Sequence, residues 1–369
     1  MLRGIEKWGW GYLRQRLRML GQPKPRHLLF CVADHFEPFC RQIDTDGRVG
    51  GGLDVDTALQ RVLHWCKDYR STIAGIEDDS GRRPQHTFFY PWDEYDPKVL
   101  DAVGLFCRQG FGEVEVHLHH RADTVDGLYE RLTQCRETYA REHGLLGRYE
   151  NGDAGYAFVH GNWALCNSRA DGDWCGVSCE VTVLRQTGCY MDCTFPSAPS
   201  PTQPRYVNRL YYGGDPPEGK RGHQFLSAVR AGESAPAEGL LMLPGPLGIH
   251  KRRHARWHLG LENGEMTTVH PASWERYCCW RRLQVHVAGV PDWLFVKLHT
   301  HGLDAASRGG VLGEMTRSFY AQLRDWCHAD GMQLHYVTAR EMYNVAKAAE
   351  AGKAGNPVEW RDMVVGAPP

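Results

Sequence analysis

The stretch EVEVHLHHRADT, residues 113–124, decides the fold class and marks a site of chemistry. Polar and apolar residues alternate along it, which predicts a β-strand with Glu115, His117 and His119 on one face. Three histidines, His117, His119 and His120, stand where this strand enters a loop. Imidazoles grouped in this way are typical of a metal site or an acid–base site.

Strand and helix patterns alternate on both sides of this stretch. A helix beginning at Asp54 or Asp56 and a capping box formed by Thr338 and Glu341 are predicted. Such alternation with short joints implies a parallel sheet, and we predict an α/β fold: a distorted (β/α) barrel with long loops over its active face. The Pro- and Ser-rich residues 194–222 are predicted to form one of these loops. The other predicted strands lie in PRHLLFCVADHFEP (25–38), HTFFYPWDEYDP (86–97), YAFVHGNWAL (156–165), DWLFVKLHTHG (292–302) and the start of LHYVTAREMYNVAKA (334–348).

Composition narrows the classes of function. The 369 residues carry a net charge of −1, which gives no reason to expect nucleic acid as a partner. Thirteen cysteines, an odd number, without a secretory signal predict free thiols and a cytoplasmic location. No run approaches the ~18 apolar residues of a transmembrane helix.

The chain divides into a basic amphipathic N-terminal segment (1–24), a barrel domain (25–350) and a C-terminal tail (351–369). The N-terminal segment mixes Trp, Tyr and Arg, which suits peripheral contact with the inner membrane leaflet. The alternative is a helix packed on the domain. A second basic cluster, HKRRHARWH (250–258), suits an anionic partner carrying phosphate.

The predicted strands end in polar residues, and parallel strands bring such ends together. Of the five strand ends given at the end of this paragraph, four contain histidine. A ligand set made mainly of histidine nitrogen atoms, with few thiolates, favours Zn²⁺. Bound Zn²⁺ lowers the pKa of a water ligand and polarises a carbonyl group. The strand-end residues are Asp34, His35 and Glu37; Tyr90, Asp93 and Glu94; His117, His119 and His120; His160, Asn162 and Trp163; and His299 and His301.

Four cysteines offer a competing metal site. Cys175, Cys179, Cys189 and Cys193 have a spacing compatible with a zinc knuckle. However, the segment CEVTVLRQTG between the two pairs reads as a helix with a glycine stop. Buried free thiols are therefore the preferred interpretation.

The segment HTFFYPWDEYDPKVLDAVGLFCRQGFGEVEVHLHH (86–120), with VADHF (32–36) and VKLHTH (296–301), resembles the NodB-homology polysaccharide deacetylases, carbohydrate esterase family 4. The resemblance implies that Asp34 is the catalytic base, that His299 is the acid, and that His35 and His117 bind the metal. The family's second motif histidine falls on Arg121, so either His119 or His120 substitutes for it or the metal is lost. The family's Arg-x-Pro-x-Gly motif is absent, and HGNW (160–163) occupies its place.

These features predict a metal-dependent hydrolase, with Zn²⁺ as cofactor, that removes N- or O-acyl groups from a saccharide in glycan biosynthesis. A nucleotide- or lipid-linked saccharide would suit a cytoplasmic enzyme. One alternative is a glycoside hydrolase, which pairs two carboxylates: Asp34 or Glu37 with Asp93, Glu94 or Asp192. Another is a non-catalytic carbohydrate-binding protein. The remaining strand-end residues are expected to bind substrate: Glu37, Tyr90, Asp93, Glu94, His160, Asn162, Trp163 and His301.

Overall fold

A computed structural model describes residues 4–40, 52–251 and 259–369. The strands are β1 (His27–His35), β2 (His86–Pro91), β3 (Gly112–Leu118), β4 (Tyr156–His160), β5 (Cys189–Asp192), β6 (Tyr211–Gly214), β7 (Gln224–Ala228), β8 (Leu240–Met242), β9 (Gly248–Lys251), β10 (Leu259–Glu262), β11 (Trp293–Thr300) and β12 (Gln333–Tyr336). The α-helices are α1 (Ile5–Arg18), α2 (Val55–Thr72), α3 (Pro97–Phe106), α4 (Val125–Glu137), α5 (Glu180–Gln186), α6 (Trp274–Leu283), α7 (Ala305–Val311), α8 (Glu314–Ala329) and α9 (Ala339–Glu350).

The centre of the fold is a mostly parallel sheet. Nine strands follow the order β11-β1-β2-β3-β4-β5-β8-β6-β7, and β12 pairs with the beginning of β1. The pairs from β11 to β8 are parallel, whereas β6 pairs antiparallel with both β7 and β8. Strands β9 and β10 form a separate antiparallel hairpin. The predicted α/β class is therefore confirmed, with an antiparallel edge that the sequence patterns did not indicate.

Each face of the sheet has its own core. Along β1, Phe30 and Val32 pack with the outer helices, whereas Cys31 and Ala33 pack on the inner face. This two-residue alternation follows from strand geometry. The inner face is also covered by α9, of which every residue except Lys347 is buried.

Contacts across the inner face join strands that are distant in the sheet order. The ammonium of the buried Lys297 on β11 donates hydrogen bonds to the carbonyls of Cys193 and Phe195, which follow β5. Gly245, which follows β8, lies so close to β11 that a Cβ there would be 2.4 Å from the Lys297 carbonyl oxygen. A side chain at position 245 would therefore push these strands apart.

Most local predictions are confirmed, and one is wrong in part. Asp54 caps α2 by accepting from the Thr57 N–H, and Thr338 and Glu341 form the predicted capping box on α9. Residues 194–222, predicted to be a loop, contain the buried strand β6. Its pairing with β7 and β8 prevailed over the local Pro and Gly content.

The two terminal segments contact the body of the protein. Helix α1 buries Trp8 against Ala198, Val207 and Leu247. In the C-terminal segment, the Val365 carbonyl accepts a hydrogen bond from Arg340 at 2.6 Å. All thirteen cysteines are free thiols, as predicted. Of the helices in the described ranges, none has the length and apolar character needed to cross a bilayer.

A buried ion pair fixes the segment beside β11. The Arg276 guanidinium donates from Nε and Nη2 to the two Glu262 oxygens, each at 2.7 Å, and both side chains are almost fully buried. Two residues further on, the Gly264 carbonyl accepts from the His299 N–H at 2.7 Å. The pair therefore helps to position the backbone next to His299.

We expect Glu262→Ala to lower the free energy of unfolding by about 3–5 kcal/mol, because it leaves the Arg276 charge buried without its partner. Urea denaturation measures this cost. The matched control is Asp292→Ala, which removes the exposed partner of Arg26 and should cost less than about 1 kcal/mol. Equal costs for the two variants would contradict the role given to the buried pair.

Candidate metal centre

Three side chains converge at the carboxyl ends of β1 and β3. Potential ligand atoms of His35, Glu37 and His117 all lie within 4.8 Å of one another, and all three residues are buried. His35 lies on the inner face because it continues the alternation of Cys31 and Ala33. This cluster, named the strand-end cluster below, could hold a metal ion, as the histidine pattern predicted.

Hydrogen bonds on the outer side of the histidines set their tautomers. Nδ1 of His117 donates to the Val159 carbonyl at 2.8 Å, so the neutral ring presents the lone pair of Nε2 to Glu37 Oε1, 3.3 Å away. His119 makes the same arrangement, with Nδ1 donating to Asp93 at 3.1 Å and Nε2 lying 3.2 Å from Glu37 Oε1. When both rings are neutral, the two Nε2 lone pairs and the Glu37 oxygen are all acceptors that face one another. A cation bound between them would stabilise this arrangement.

The charges in the strand-end cluster are strongly coupled. Burial alone would lower the pKa of His119, but the carboxylates of Asp93 and Glu37 raise it well above its ordinary value. Burial alone would raise the pKa of Glu37, but the imidazoles of His301, His117 and His119 lower it. Burial and the neighbouring imidazoles lower the pKa of His35 well below its ordinary value.

Strand β11 brings two further histidines to the cluster. The ring of His301 lies 4.6 Å from that of His35, centroid to centroid, and the ring of His299 lies 6.1 Å away. His301 is partly exposed, whereas His299 is buried. Glu94 lies on the β2 side, where burial and the charge of Glu37 raise its pKa to about 7.

Asp34 does not join the strand-end cluster. Its carboxylate accepts from the Gly302 N–H at 2.6 Å and from His86 Nε2 at 2.8 Å. Both oxygens are thus engaged on the face opposite to His35, and the side chain is completely buried. Asp34, the predicted base, therefore has two structural partners and points away from the strand-end cluster.

His120 and His160 meet in a second group, on the other face of the sheet. His120 Nε2 lies 2.9 Å from His160 Nε2 and 3.2 Å from Glu180 Oε1. With Cys175 they form a fully buried set whose potential ligand atoms lie within 4.8 Å of one another. His117 points inwards from β3, and in the loop directly after the strand His119 also meets Glu37 whereas His120 meets His160. Of the two residues predicted to substitute for the missing ligand, only His119 reaches Glu37.

The remaining predicted substrate residues divide between the site and the core. Tyr90 packs among the outer apolar residues. Asn162 and Trp163 have left-handed backbone conformations, with φ of 56° and 51°. Both follow Gly161, where a Cβ would lie 2.3 Å from Cδ2 of His119. The turn that carries Asn162 and Trp163 therefore lies against the His119 ring.

The four cysteines do not form the alternative zinc knuckle and are free thiols, as predicted. Cys175 lies with the two histidines, whereas Cys189 and Cys193 belong to opposite faces of the sheet around β5. The sequence patterns did not predict Glu180 as a site residue or the contact of Cys175 with the two histidines. The one sequence feature that could have indicated this group is the position of Glu180. It is the first residue of a predicted short helix and stands five residues after Cys175.

Comparison with protein-family models and with curated proteins finds no match for this chain. The resemblance to the NodB-homology deacetylases therefore depends on the quoted sequence segments alone.

We expect His117→Ala to weaken binding of one Zn²⁺ equivalent by at least ~100-fold, because a directly coordinating imidazole is lost. Elemental analysis after dialysis against buffered zinc measures the stoichiometry. His27→Ala is the control, since His27 lies at the opposite end of β1 and pairs with His335. Unchanged zinc content in His117→Ala would exclude His117 as a ligand.

Proposed function

We propose that the protein is a metal-dependent hydrolase that removes acyl groups from a saccharide, with Zn²⁺ as its cofactor. The observation that carries the proposal is the convergence of His35, Glu37 and His117 at the carboxyl ends of parallel strands. Two imidazoles and one carboxylate are a known ligand set of catalytic zinc. When bound, such a metal lowers the pKa of water and polarises a carbonyl group.

The chain's own residues suit proton transfer on both sides of the ligands. We assign the general acid to His119, because the Asp93 carboxylate orients its ring, the two neighbouring carboxylates favour its protonated form, and the ring is partly exposed. We assign the general base to His301 in preference to His299, since His301 lies nearer to His35 and is more exposed. Asp34, in this proposal, positions Gly302 and hence the end of β11.

The barrel architecture of the resembled deacetylases belongs to the same proposal. Its support is the link from Lys297 on β11 to the carbonyls after β5, although four strands separate β11 from β5 in the sheet order. A sheet that brings these strands together must curve around its inner face. Closure of that curve would place all the strand ends around one site.

Asn162 and Trp163 support a saccharide as the substrate. The side-chain amide of Asn162 and the indole N–H of Trp163 have no hydrogen-bond partner among the described residues. Donors of this kind can bind sugar hydroxyl groups, and the indole can stack on a sugar ring. Left-handed backbone at two successive non-glycine residues is a strained arrangement typical of binding sites.

Product analysis tests the proposed reaction. The zinc-loaded protein is incubated with N- and O-acetylated oligosaccharides, and free acetate and new reducing ends are measured separately. We expect acetate without chain cleavage. New reducing ends would favour the glycoside hydrolase. Saccharide binding without either product would favour the carbohydrate-binding protein.

We expect His119→Ala to lower kcat by about 10²–10⁴-fold, because a general acid is removed. Zinc content, measured in the same preparation, separates this loss from loss of metal. His328→Ala is the matched control, since His328 is also paired with a carboxylate, that of Asp79, but lies on the surface. Full activity of zinc-loaded His119→Ala would contradict the assignment of the acid.

The outer surface of α1 supports the predicted contact with an anionic membrane. Trp10, Leu13 and Leu17 are 64%, 46% and 60% exposed, and Arg14 and Arg18 on the same helix are also exposed. The same arginines line a groove of about 960 Å³ with Lys7, Arg205, Arg209 and Arg221. Burial and the charge of Arg18 lower the pKa of Arg209, so like charges face one another there. Lipid phosphates would neutralise them.

Arg14→Glu with Arg18→Glu should weaken sedimentation with phosphatidylglycerol vesicles by at least ~30-fold, since each basic residue contributes about 1 kcal/mol. Lys67→Glu with Lys98→Glu changes the charge equally on α2 and α3 and should bind like the unmodified chain. Equal binding by both double variants would contradict the proposed surface. The basic cluster at 250–258 lies outside the described residues except for His250 and Lys251.

A further inference from the structure

The second histidine group has a composition of its own. His120, His160, Cys175 and Glu180 come from the end of β3, the end of β4, a loop and the beginning of α5. All four are completely or almost completely buried, and their potential ligand atoms lie within 4.8 Å of one another. The set lies on the face of the sheet opposite to the strand-end cluster, and it plays no part in the proposed hydrolysis.

The hydrogen bonds around this group set the direction of each imidazole lone pair. His120 Nδ1 donates to the Asp123 carboxylate at 3.1 Å, and His160 Nδ1 donates to the Gly161 carbonyl. The neutral rings therefore present both Nε2 lone pairs to each other at 2.9 Å. Glu180 Oε1 adds a further acceptor, 3.2 Å from one ring and 3.3 Å from the other.

Three acceptors facing one another in a buried space require a positive charge between them. A proton on one imidazole or a metal ion can supply it. Cys175 favours the metal ion over the proton. Its sulfur lies 3.4 Å from Glu180 Oε2, next to the three acceptors, and could bind the same ion. With the thiol ionised, the Cys175 and Glu180 charges together balance a divalent cation, which leaves no net charge to bury.

We propose that His120, His160, Cys175 and Glu180 bind a structural Zn²⁺ ion. Binding forms four metal–ligand bonds and releases two protons to solvent, one from the Cys175 thiol and one from the imidazole that carries the positive charge in the metal-free group. Complete burial and four protein ligands leave no open position, which is the arrangement of a structural site. The outer partners Asp123 and the Gly161 carbonyl orient the two rings, as is usual for metal-binding histidines.

Such an ion would fix the turn that carries the proposed sugar-binding residues. Residues 161–180 begin with Gly161 against His119 and end at Glu180. The Glu180 Oε2 atom also accepts from the Cys166 N–H at 2.6 Å, so the carboxylate anchors the middle of this segment. The second site would thus hold Asn162 and Trp163 in place without touching substrate.

Cobalt substitution tests the site by a readout independent of activity. Cys175 is the only cysteine in the ligand groups found among the described residues, so thiolate-to-Co²⁺ charge transfer in the near ultraviolet reports on this site alone. We expect the band in the full chain and its loss in Cys175→Ser. Cys189→Ser is the matched control, because Cys189 is also buried and also donates to the carbonyl two residues later.

The band should persist in Cys189→Ser and in His117→Ala, which removes a ligand of the strand-end cluster. A full chain that binds Co²⁺ without any thiolate band overturns the proposal, whether or not the variants fold. A band that survives in folded Cys175→Ser overturns it as well. Failure of the acetate assay leaves this spectrum unchanged, so the two proposals fail separately.

Discussion

The alternation of side chains along β3 is the constraint on which the arrangement of both sites depends. His117 and His119 fall on the inner face, where they meet Glu37, and His120 falls on the outer face, where it meets His160. A shift of one residue in the pairing of β3 would exchange the two sets. The parallel register of β3 with β2 and β4 prevents this shift, because it also buries Val114, Val116 and Leu118 among the outer helices.

The strand pattern predicted much of the fold and part of the site. Strand ends rich in histidine were visible in the sequence, and the structure brings His35, His117, His119 and His301 together. For Asp34, the role implied by the resemblance differs from the one that its contacts support. The resemblance implied a base at that position, but the alternation along β1 places Asp34 and His35 on opposite faces of the sheet.

The second group could not be predicted in the same way. Cys175 lies in a loop and Glu180 at the start of a short helix, so no strand period links them to His120. Their convergence depends on the path of residues 161–180, which includes several left-handed residues. The strands β6 and β7 were missed for a related reason, because their pairing partners rather than their own residues determine them.

Both sites follow one electrostatic rule. Nδ1 atoms are engaged by carbonyls or carboxylates on the outside, and Nε2 atoms face carboxylate oxygen on the inside. Buried acceptors of this kind are costly unless a cation lies between them. Strand geometry determines which histidines meet. The groups that accept from Nδ1 determine that Nε2 is the free nitrogen, and in this way the sequence determines the chemistry of each site.

Anomalous diffraction at the zinc absorption edge, from crystals grown with zinc, tests the central claim most directly. The account predicts an anomalous peak among the ligand atoms of His35, Glu37 and His117. The contradicting result is no peak at this position, with the His117 and His119 rings hydrogen-bonded directly to the Glu37 carboxylate. In that case a proton, and not a metal ion, would supply the positive charge of the strand-end cluster.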